Sequence, residues 1–240
     1  DLVRSRGLGD VYKRQGYHAP VTPGTDIFLP MRRNSRGWDL ANPEHLEEIE
    51  AARRPFRATR FEAGPLIAGD TSPDDMMERE SPSDPSDVVG EVRFASRTDV
   101  DTALDAARTW KASKDERSAI LKRAADLYEQ NFGEIFAVLA REAGKTLPDA
   151  LAELREAVDF LNYYAEELLE LNSEPQGRFV CISPWNFPLA IFTGQISAAL
   201  AAGNAVLAKP AEQTTLIAHL GARLMHEAGV PAEVLQLLPG

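Results

Sequence analysis

The chain has 240 residues, 44% of them hydrophobic, and a formal net charge of -11 at pH 7, which is enough for one large domain or two small ones. The acidic balance argues against nucleic acid and anionic membranes as partners, because phosphate binding needs concentrated Lys and Arg. Cys181 is the one cysteine, so no internal disulfide can form and no metal site is expected. No apolar run is long enough for a transmembrane helix.

The first part of the chain carries few structural signals. Residues 1–15 have neither the apolar middle of a signal peptide nor a helical or strand period. They resemble translated adaptor sequence, and we expect a non-native tail; a native disordered tail is the alternative. Residues 16–60 are rich in Pro, Asn, Arg and Gly, with one short helical stretch near 44–53. They are interpreted as an interdomain linker.

Residues 72–87 predict a polar loop with several prolines. Its acidic residues match no known cation-binding loop, so a solvated loop is favoured over a metal site. These acidic residues are Asp74, Asp75, Glu78 and Glu80.

A strand and three helices are predicted next. Residues 88–94 alternate between apolar and polar side chains, which indicates a half-buried strand. Thr98 is the expected N-cap of the first helix. The apolar periodicity predicts a second helix over 115–143 and a third over 147–171.

After Gly177 short apolar runs alternate with helices in the order β-α-β-α-β. Because the connections are short, the strands should be parallel with helices across their faces. The predicted fold class is therefore α/β, with a linker and helical segment before an incomplete Rossmann-like parallel sheet. A last strand just before Gly240 would leave an open edge, so we expect a truncated piece of a longer protein. The strands are predicted at 179–182, 204–208 and 234–238, and the helices at 189–202 and 214–228.

The turn after the first of these strands reads ISPWNFP, and the G-x-G-x-x-G fingerprint is absent. Two prolines fix the backbone around an aromatic and an amide. One interpretation is a rigid turn with a buried Trp185. The other is that the turn holds Asn186 at the edge of the sheet where ligands bind, so that its amide can donate a hydrogen bond to a developing oxyanion.

The turn after the second strand reads AKPAEQT. Lys209 and Glu212 stand where an adenosine ribose would lie, and a carboxylate there can accept hydrogen bonds from the ribose hydroxyls. Glu212 would repel the 2′-phosphate of NADP, which favours NAD, although Lys209 could neutralise a phosphate. The alternative is a helix-start pair in which Glu212 complements the helix dipole.

Several long segments carry a family resemblance. FVCISPWNFPLAIFTGQISAALAAGNAVLAKPAEQT resembles the aldehyde dehydrogenase superfamily, and more narrowly the L-glutamate γ-semialdehyde dehydrogenase half of the bifunctional proline utilization A proteins. REAGKTLPDALAELREAVDFLNYYAEE, EAGVPAEVLQLLPG and the linker segment IFLPMRRNSRGWDLANP are similar to it as well. The resemblance covers residues 26–240. It implies that 61–240 are the N-terminal part of an NAD-binding domain, with helices over 98–171 and the β-α-β-α-β unit over 178–238.

The resemblance also implies roles for individual residues. Asn186 would be the oxyanion amide. Glu156 would lie near the amino end of the substrate, with a solvated helical acid as the alternative, and the histidines, including His219 and His226, match no role and are expected at the surface. NAD would be held by Ile182, Ser183, Pro184, Trp185, Lys209, Ala211 and Glu212.

In this family a cysteine thiolate attacks the aldehyde, hydride passes to NAD, and a Glu-activated water releases the acid. The matching cysteine and glutamate would lie beyond Gly240. Cys181 is not expected to be the nucleophile, because apolar strand cysteines are usually inert.

The expected function is therefore part of an NAD-dependent L-glutamate γ-semialdehyde dehydrogenase of proline catabolism, inactive alone. FAD would belong only to the other half of the parent protein. The parent is expected to be cytoplasmic, peripheral at the inner membrane face, and a homo-oligomer. The alternatives are a monofunctional dehydrogenase for another aldehyde and a non-catalytic nucleotide-binding module.

Overall fold

A computed structural model describes residues 22–72, 76–172 and 174–240 of the chain. Within these ranges two three-stranded sheets are packed with helices. The predicted tail at 1–15 lies outside them. The strands are β1 Phe61–Ala63, β2 Met77–Ser81, β3 Asp84–Val92, β4 Arg178–Ile182, β5 Ala205–Lys209 and β6 Leu235–Leu237. The α-helices are α1 Pro43–Arg53, α2 Arg97–Ala106, α3 Lys114–Gln130, α4 Phe132–Glu142, α5 Leu147–Glu170, α6 Ala190–Ala201 and α7 Thr215–Ala228.

The helix boundaries follow local capping chemistry. Ser96, not Thr98, is the N-cap of α2, because its hydroxyl accepts from the Asp99 backbone N–H while the Asp99 carboxylate accepts from Ser96. The single helix predicted over 115–143 is also wrong, since it is divided at Asn131. The Asn131 side-chain amide donates to the Leu127 carbonyl at 2.8 Å, and such local bonds compete with the helical ladder.

The first sheet corrects the predicted polar loop at 72–87. β2 pairs antiparallel with β3, and β1 pairs parallel with β3. Most side chains of β2 are exposed, so the strand lacks the alternation that marks a half-buried strand. Glu78 and Glu80 therefore lie on a strand, while Asp74 and Asp75 lie outside the described residues.

The second sheet has the order β4-β5-β6, with both pairs parallel. This confirms the predicted β-α-β-α-β unit and the α/β class. Helix α6 is buried on nearly all sides, as expected between a sheet and other helices. Helix α7 ends at Gly229, which has φ 115°, a left-handed conformation that favours glycine.

The two edges of this sheet differ from the prediction. The outer side of β6, expected to be open, is bridged by Leu66, whose N–H donates to the Leu237 carbonyl at 3.0 Å and whose carbonyl accepts from Leu237 at 2.8 Å. At the opposite edge, the β4 side chains of Phe179, Val180 and Ile182 are exposed. Among the described residues β4 pairs with β5 alone, so the open edge there is that of the first strand of the unit.

The segment 22–60, predicted to be a linker, lies against the helices. The Trp38 ring centroid is 4.8 Å from that of Phe132 and 5.6 Å from that of Phe136, and Ile49 of α1 is fully buried. The short helix predicted near 44–53 corresponds to α1. Among the helices described, none combines the length and apolarity needed to cross a membrane.

Candidate functional site

The candidate site lies where β4 and β5 end side by side. Ile182 is the register partner of Lys209, and the Ser183 backbone N–H donates to the Lys209 carbonyl at 3.2 Å. Neighbouring parallel strands have their carboxyl ends at the same end of a sheet, so the two turns that follow them leave from the same end. The structure therefore brings together the ends of the two segments selected from the sequence, 182–188 and 208–214.

The first turn presents its aromatic and amide side chains to solvent. Trp185 is 58% exposed, so the interpretation of a buried tryptophan is wrong. Asn186 and Phe187 are exposed as well, whereas Pro188 is buried. The Ser183 hydroxyl is buried and has no hydrogen-bond partner among the described residues. The exposed amide at this strand end is accessible to a ligand, and the buried hydroxyl beneath it has no partner of its own among the described residues.

Two residues outside the turn hold it in place. Lys145 Nζ donates to the Asn186 carbonyl at 2.5 Å and lies 4.7 Å from the centroid of the Phe187 ring. The same ammonium group lies 2.9 Å from Oε1 of Glu153 in α5, an ion-pair contact without hydrogen-bond alignment. Sequence reasoning assigned neither residue a role. The sequence contained one indication of a role for Glu153, which is a charged residue on the buried face of α5 with Ala150.

The second turn is less constrained. Lys209 Nζ and Glu212 Oε1 are 4.0 Å apart, and the two side chains are 37% and 58% exposed. Such an exposed pair contributes little stability, so both groups are available to a ligand. Ala211 is half-buried between them. The Thr214 hydroxyl is buried and lacks a hydrogen-bond partner within the described ranges.

The helix below the second turn is capped by a buried carboxylate that sequence reasoning also missed. Thr214, the N-cap of α7, makes no side-chain capping bond. Instead, Glu142 accepts from the backbone N–H groups of Leu216 at 2.7 Å and Ile217 at 2.9 Å. Burial raises the pKa of the Glu142 carboxyl to about 8, although the two N–H donors favour the charged form.

Other selected residues lie elsewhere. Glu156 is exposed on α5, in a depression that also includes Arg155 and Asp159, and no described contact joins it to either turn. His219 and His226 are less exposed than expected. His219 Nδ1 lies 3.2 Å from the Gly64 carbonyl and His226 Nδ1 lies 2.9 Å from the Val230 carbonyl, and both side chains are partly buried.

Cys181 is in an environment that disfavours a nucleophilic thiolate. Its side chain is buried in β4, with 7% exposure. Desolvation raises the pKa of the thiol to about 11. Because the thiolate is the reactive form, a thiol with this pKa is almost entirely protonated and inert at neutral pH.

Comparison with known proteins places this geometry in a family. Residues 69–240 match the aldehyde dehydrogenase family. The chain belongs to this family. The resemblance inferred from the sequence segments is thus confirmed, and the two strand-end turns are those of an aldehyde dehydrogenase fold.

Two kinds of curated relative are similar to this aldehyde dehydrogenase chain. It is 47% identical over 232 residues to the bifunctional protein PutA of Escherichia coli, covering 93% of the chain and 18% of PutA. It is 38% identical over 199 residues to the 1-pyrroline-5-carboxylate dehydrogenase of Bacillus cytotoxicus, covering 73% and 39%. A structure of 1-pyrroline-5-carboxylate dehydrogenase from Thermus with bound NAD superimposes with a TM-score of 0.80 at 32% identity, covering 92% and 46%. The chain therefore spans less than half the length of each of these relatives.

Proposed function

We propose that this chain is the N-terminal part of the NAD-dependent L-glutamate γ-semialdehyde dehydrogenase unit of a longer protein. The observation that carries the proposal is the register of β4 and β5. Because Ile182 pairs with Lys209, the tryptophan–asparagine turn and the lysine–glutamate turn open onto one edge, where α/β sheets bind nucleotides.

The residues at this edge fit a dinucleotide. Glu212 is exposed and weakly paired, so its carboxylate can accept hydrogen bonds from ribose hydroxyls without breaking a strong contact. The Ser183 and Thr214 hydroxyls lack partners among the described residues, and buried hydroxyls normally have them. Ile182, next to Ser183, exposes an apolar side chain. NAD, when bound, would accept the hydride of the aldehyde.

The remaining cofactor residues form the wall of the same edge. Pro184 fixes the backbone after Ser183 and leaves Trp185 projecting into solvent. Ala211 lies between Lys209 and Glu212, where a small side chain leaves room for a sugar. We assign these residues, with those above, to NAD binding, and leave Glu156 as a proposed substrate contact of the assembled site.

In this proposal Asn186 stabilises negative charge on the aldehyde oxygen. Its side-chain amide is a donor at the edge of the sheet, exposed in the first turn. A preoriented donor aimed at a developing oxyanion lowers the barrier more than it strengthens ground-state binding. Asn186 is the one described residue to which we assign contact with the reacting atoms.

We infer that the nucleophile lies outside this segment. The chain holds one cysteine, and Cys181 is buried with a thiol pKa raised to about 11 by desolvation. A thiolate nucleophile needs exposure and a lowered pKa. We therefore propose that the 240 residues alone do not oxidise aldehydes.

The proposed substrate follows from the 1-pyrroline-5-carboxylate dehydrogenases among the relatives, because 1-pyrroline-5-carboxylate is the cyclic form of L-glutamate γ-semialdehyde. The similarity to E. coli PutA covers 93% of the chain, so it includes residues ahead of the family match that begins at residue 69. A monofunctional dehydrogenase for another aldehyde would contain the same β4-β5-β6 sheet, but no observation favours this alternative specifically.

Activity assays test the proposal. The full-length protein should form NADH with L-glutamate γ-semialdehyde and NAD, and should prefer that aldehyde to acetaldehyde or benzaldehyde. The 240-residue chain should form none. Preference for a different aldehyde would refute the substrate assignment, and turnover by the chain that disappears in Cys181→Ser would refute the account of the nucleophile.

A further inference from the structure

Lys145 and Glu153 form a clamp around the first turn. Lys145 follows α4, and its Nζ donates to the Asn186 carbonyl at 2.5 Å and contacts Glu153 Oε1 at 2.9 Å. On the other side of the same carboxylate, Glu153 Oε2 accepts from the backbone N–H groups of Leu189 at 3.2 Å and Ala190 at 2.8 Å. One ion pair thus fixes the middle of the turn and the start of α6. We call these two residues the Lys145–Glu153 clamp.

Burial makes this clamp effective. The Lys145 side chain is 15% exposed and that of Glu153 is 1% exposed, so their attraction is weakly screened compared with surface pairs. Glu153 also serves as the missing N-terminal cap, because α6 has no capping bond from its own N-cap residue. The position of the Lys145 ammonium is therefore tied to the N-terminus of a buried helix.

The Lys145–Glu153 clamp restrains the backbone of Asn186. Asn186 is exposed, and an exposed loop side chain holds no fixed position unless its backbone is restrained. A donor that stabilises an oxyanion must be preoriented, and small displacements reduce catalysis strongly. The Lys145 ammonium binds the carbonyl of this very residue, so it restrains the peptide unit from which the amide side chain extends.

We propose that Lys145 is a positioning residue for the Asn186 amide, with Glu153 as the counter-ion that orients it. This inference rests on the proposed function, since it assumes that Asn186 is the oxyanion donor. Lys145 contacts neither substrate nor cofactor in the proposal. Its contribution is exerted through Asn186 and should therefore vanish when the Asn186 amide is removed.

A double-mutant cycle in the full-length dehydrogenase tests this directly. The variants are Lys145→Met, Asn186→Ala and the two together, assayed for kcat, KM and the dissociation constant of NAD. Lys145→Met should lower kcat about ten-fold or more, while NAD affinity changes by less than about two-fold. In the Asn186→Ala background the same change should lower kcat less than about two-fold, because contacting residues couple non-additively.

Matched variants separate positioning from general stability. Lys122→Met removes another lysine–glutamate pair, in which Lys122 Nζ lies 2.6 Å from Glu166 Oε1. This pair has no described contact with the turn, so the variant should leave kcat unchanged. Lys145→Arg keeps the charge and should restore much of the lost turnover. If Lys145→Met does not fold, Glu153→Gln, with and without Asn186→Ala, carries the same test, because it removes the counter-ion of Lys145.

Each outcome decides a claim. Equal losses from Lys145→Met in both backgrounds, or no loss in either, would overturn the positioning role. An unaltered protein that forms no NADH with any aldehyde would refute the proposed function, and the inference with it. An active protein whose kcat does not depend on Lys145 would refute the inference alone.

Discussion

The turns after β4 and β5 end neighbouring strands of one sheet, yet they are held in different ways. The first is fixed from outside, with Lys145 on the Asn186 carbonyl and Glu153 on the start of α6. The second carries Lys209 and Glu212 at 4.0 Å, both substantially exposed. In the proposed function the first turn positions a catalytic amide and gains from rigidity, whereas the second turn binds ribose hydroxyls and gains from carboxylate oxygens that have no strong partner.

The helices behind the two turns show the same contrast. Both lack a capping bond from their own N-cap residue, and both receive a buried carboxylate instead. Glu153 has Lys145 as an ion-pair partner. Glu142 has two backbone N–H donors, and Arg79 attracts it without an ion-pair contact among the described residues. The charge of Glu153 is thus matched locally, while that of Glu142 is not.

The largest effect is expected at the fixed turn. In the full-length protein, Asn186→Ala should lower kcat by about ten- to a thousand-fold, because one oxyanion donor is lost. NAD affinity should stay nearly constant, as measured by fluorescence titration. Asn172→Ala is the matched control, since Asn172 is another exposed asparagine away from the turn. Unchanged turnover in Asn186→Ala would remove the catalytic assignment.

The unmatched carboxylate predicts a pH-dependent stability. The Glu142 pKa is raised by burial to about 8 from an ordinary 4.5, so between these values the folded chain binds a proton that the unfolded chain has lost. The free energy of unfolding should therefore fall as pH rises through this window, with a slope of up to about 1.4 kcal/mol per pH unit. Urea unfolding of the chain at several pH values would show this, and Glu142→Gln should flatten the slope.

Asp99 provides a control of opposite sign. Although burial opposes its ionisation, hydrogen bonds from Ser72, Ser96 and Arg93 lower its pKa to about 2 from 3.8. Its contribution to stability is present above 3.8 and is lost as pH falls through 2. Asp99→Asn should thus leave the slope between pH 4.5 and 8 intact. A slope that survives in Glu142→Gln would show that another group titrates in that window.

The smallest effect is expected at the second turn, which follows β5. Glu212→Ala should weaken NAD binding by roughly ten-fold, because hydrogen bonds to a charged acceptor are lost. Discrimination against NADP should narrow as well, since the carboxylate that repels a 2′-phosphate is gone. Isothermal titration with both cofactors measures this, with the exposed Glu233→Ala as control. Equal NAD affinity in Glu212→Ala and the unaltered protein would end the ribose assignment.

The sequence predicted the parallel unit well because its signals are local. Short apolar runs flanked by Gly177, Gly203 and Gly229 define strands and helix ends, and strand order follows from connection length. The convergence of the two turns follows from parallel strands, which end at one edge. Both turns could therefore be predicted from the local sequence pattern. The family resemblance supported the same prediction, because its segments include both turns.

The features that could not be predicted from the sequence depend on single side-chain contacts or on contacts between distant residues. Strand β2 is mostly exposed on both sides and shows no period, and the break at Asn131 depends on one side-chain bond. Lys145, Glu142 and Glu153 act through partners 41, 74 and 36 residues away. Such long-range pairing leaves little trace in a local pattern, beyond a charged residue on an otherwise buried helix face.

We propose that the two turns hold one dinucleotide between them, and a crystal structure of the full-length protein with NAD is the decisive experiment. We expect NAD density across the ends of β4 and β5, with the Glu212 carboxylate within hydrogen-bond distance of the adenosine ribose. The Asn186 amide should lie on the nicotinamide side, held by the Lys145 contact. NAD bound elsewhere, or bound with Glu212 facing solvent, would refute the proposed site.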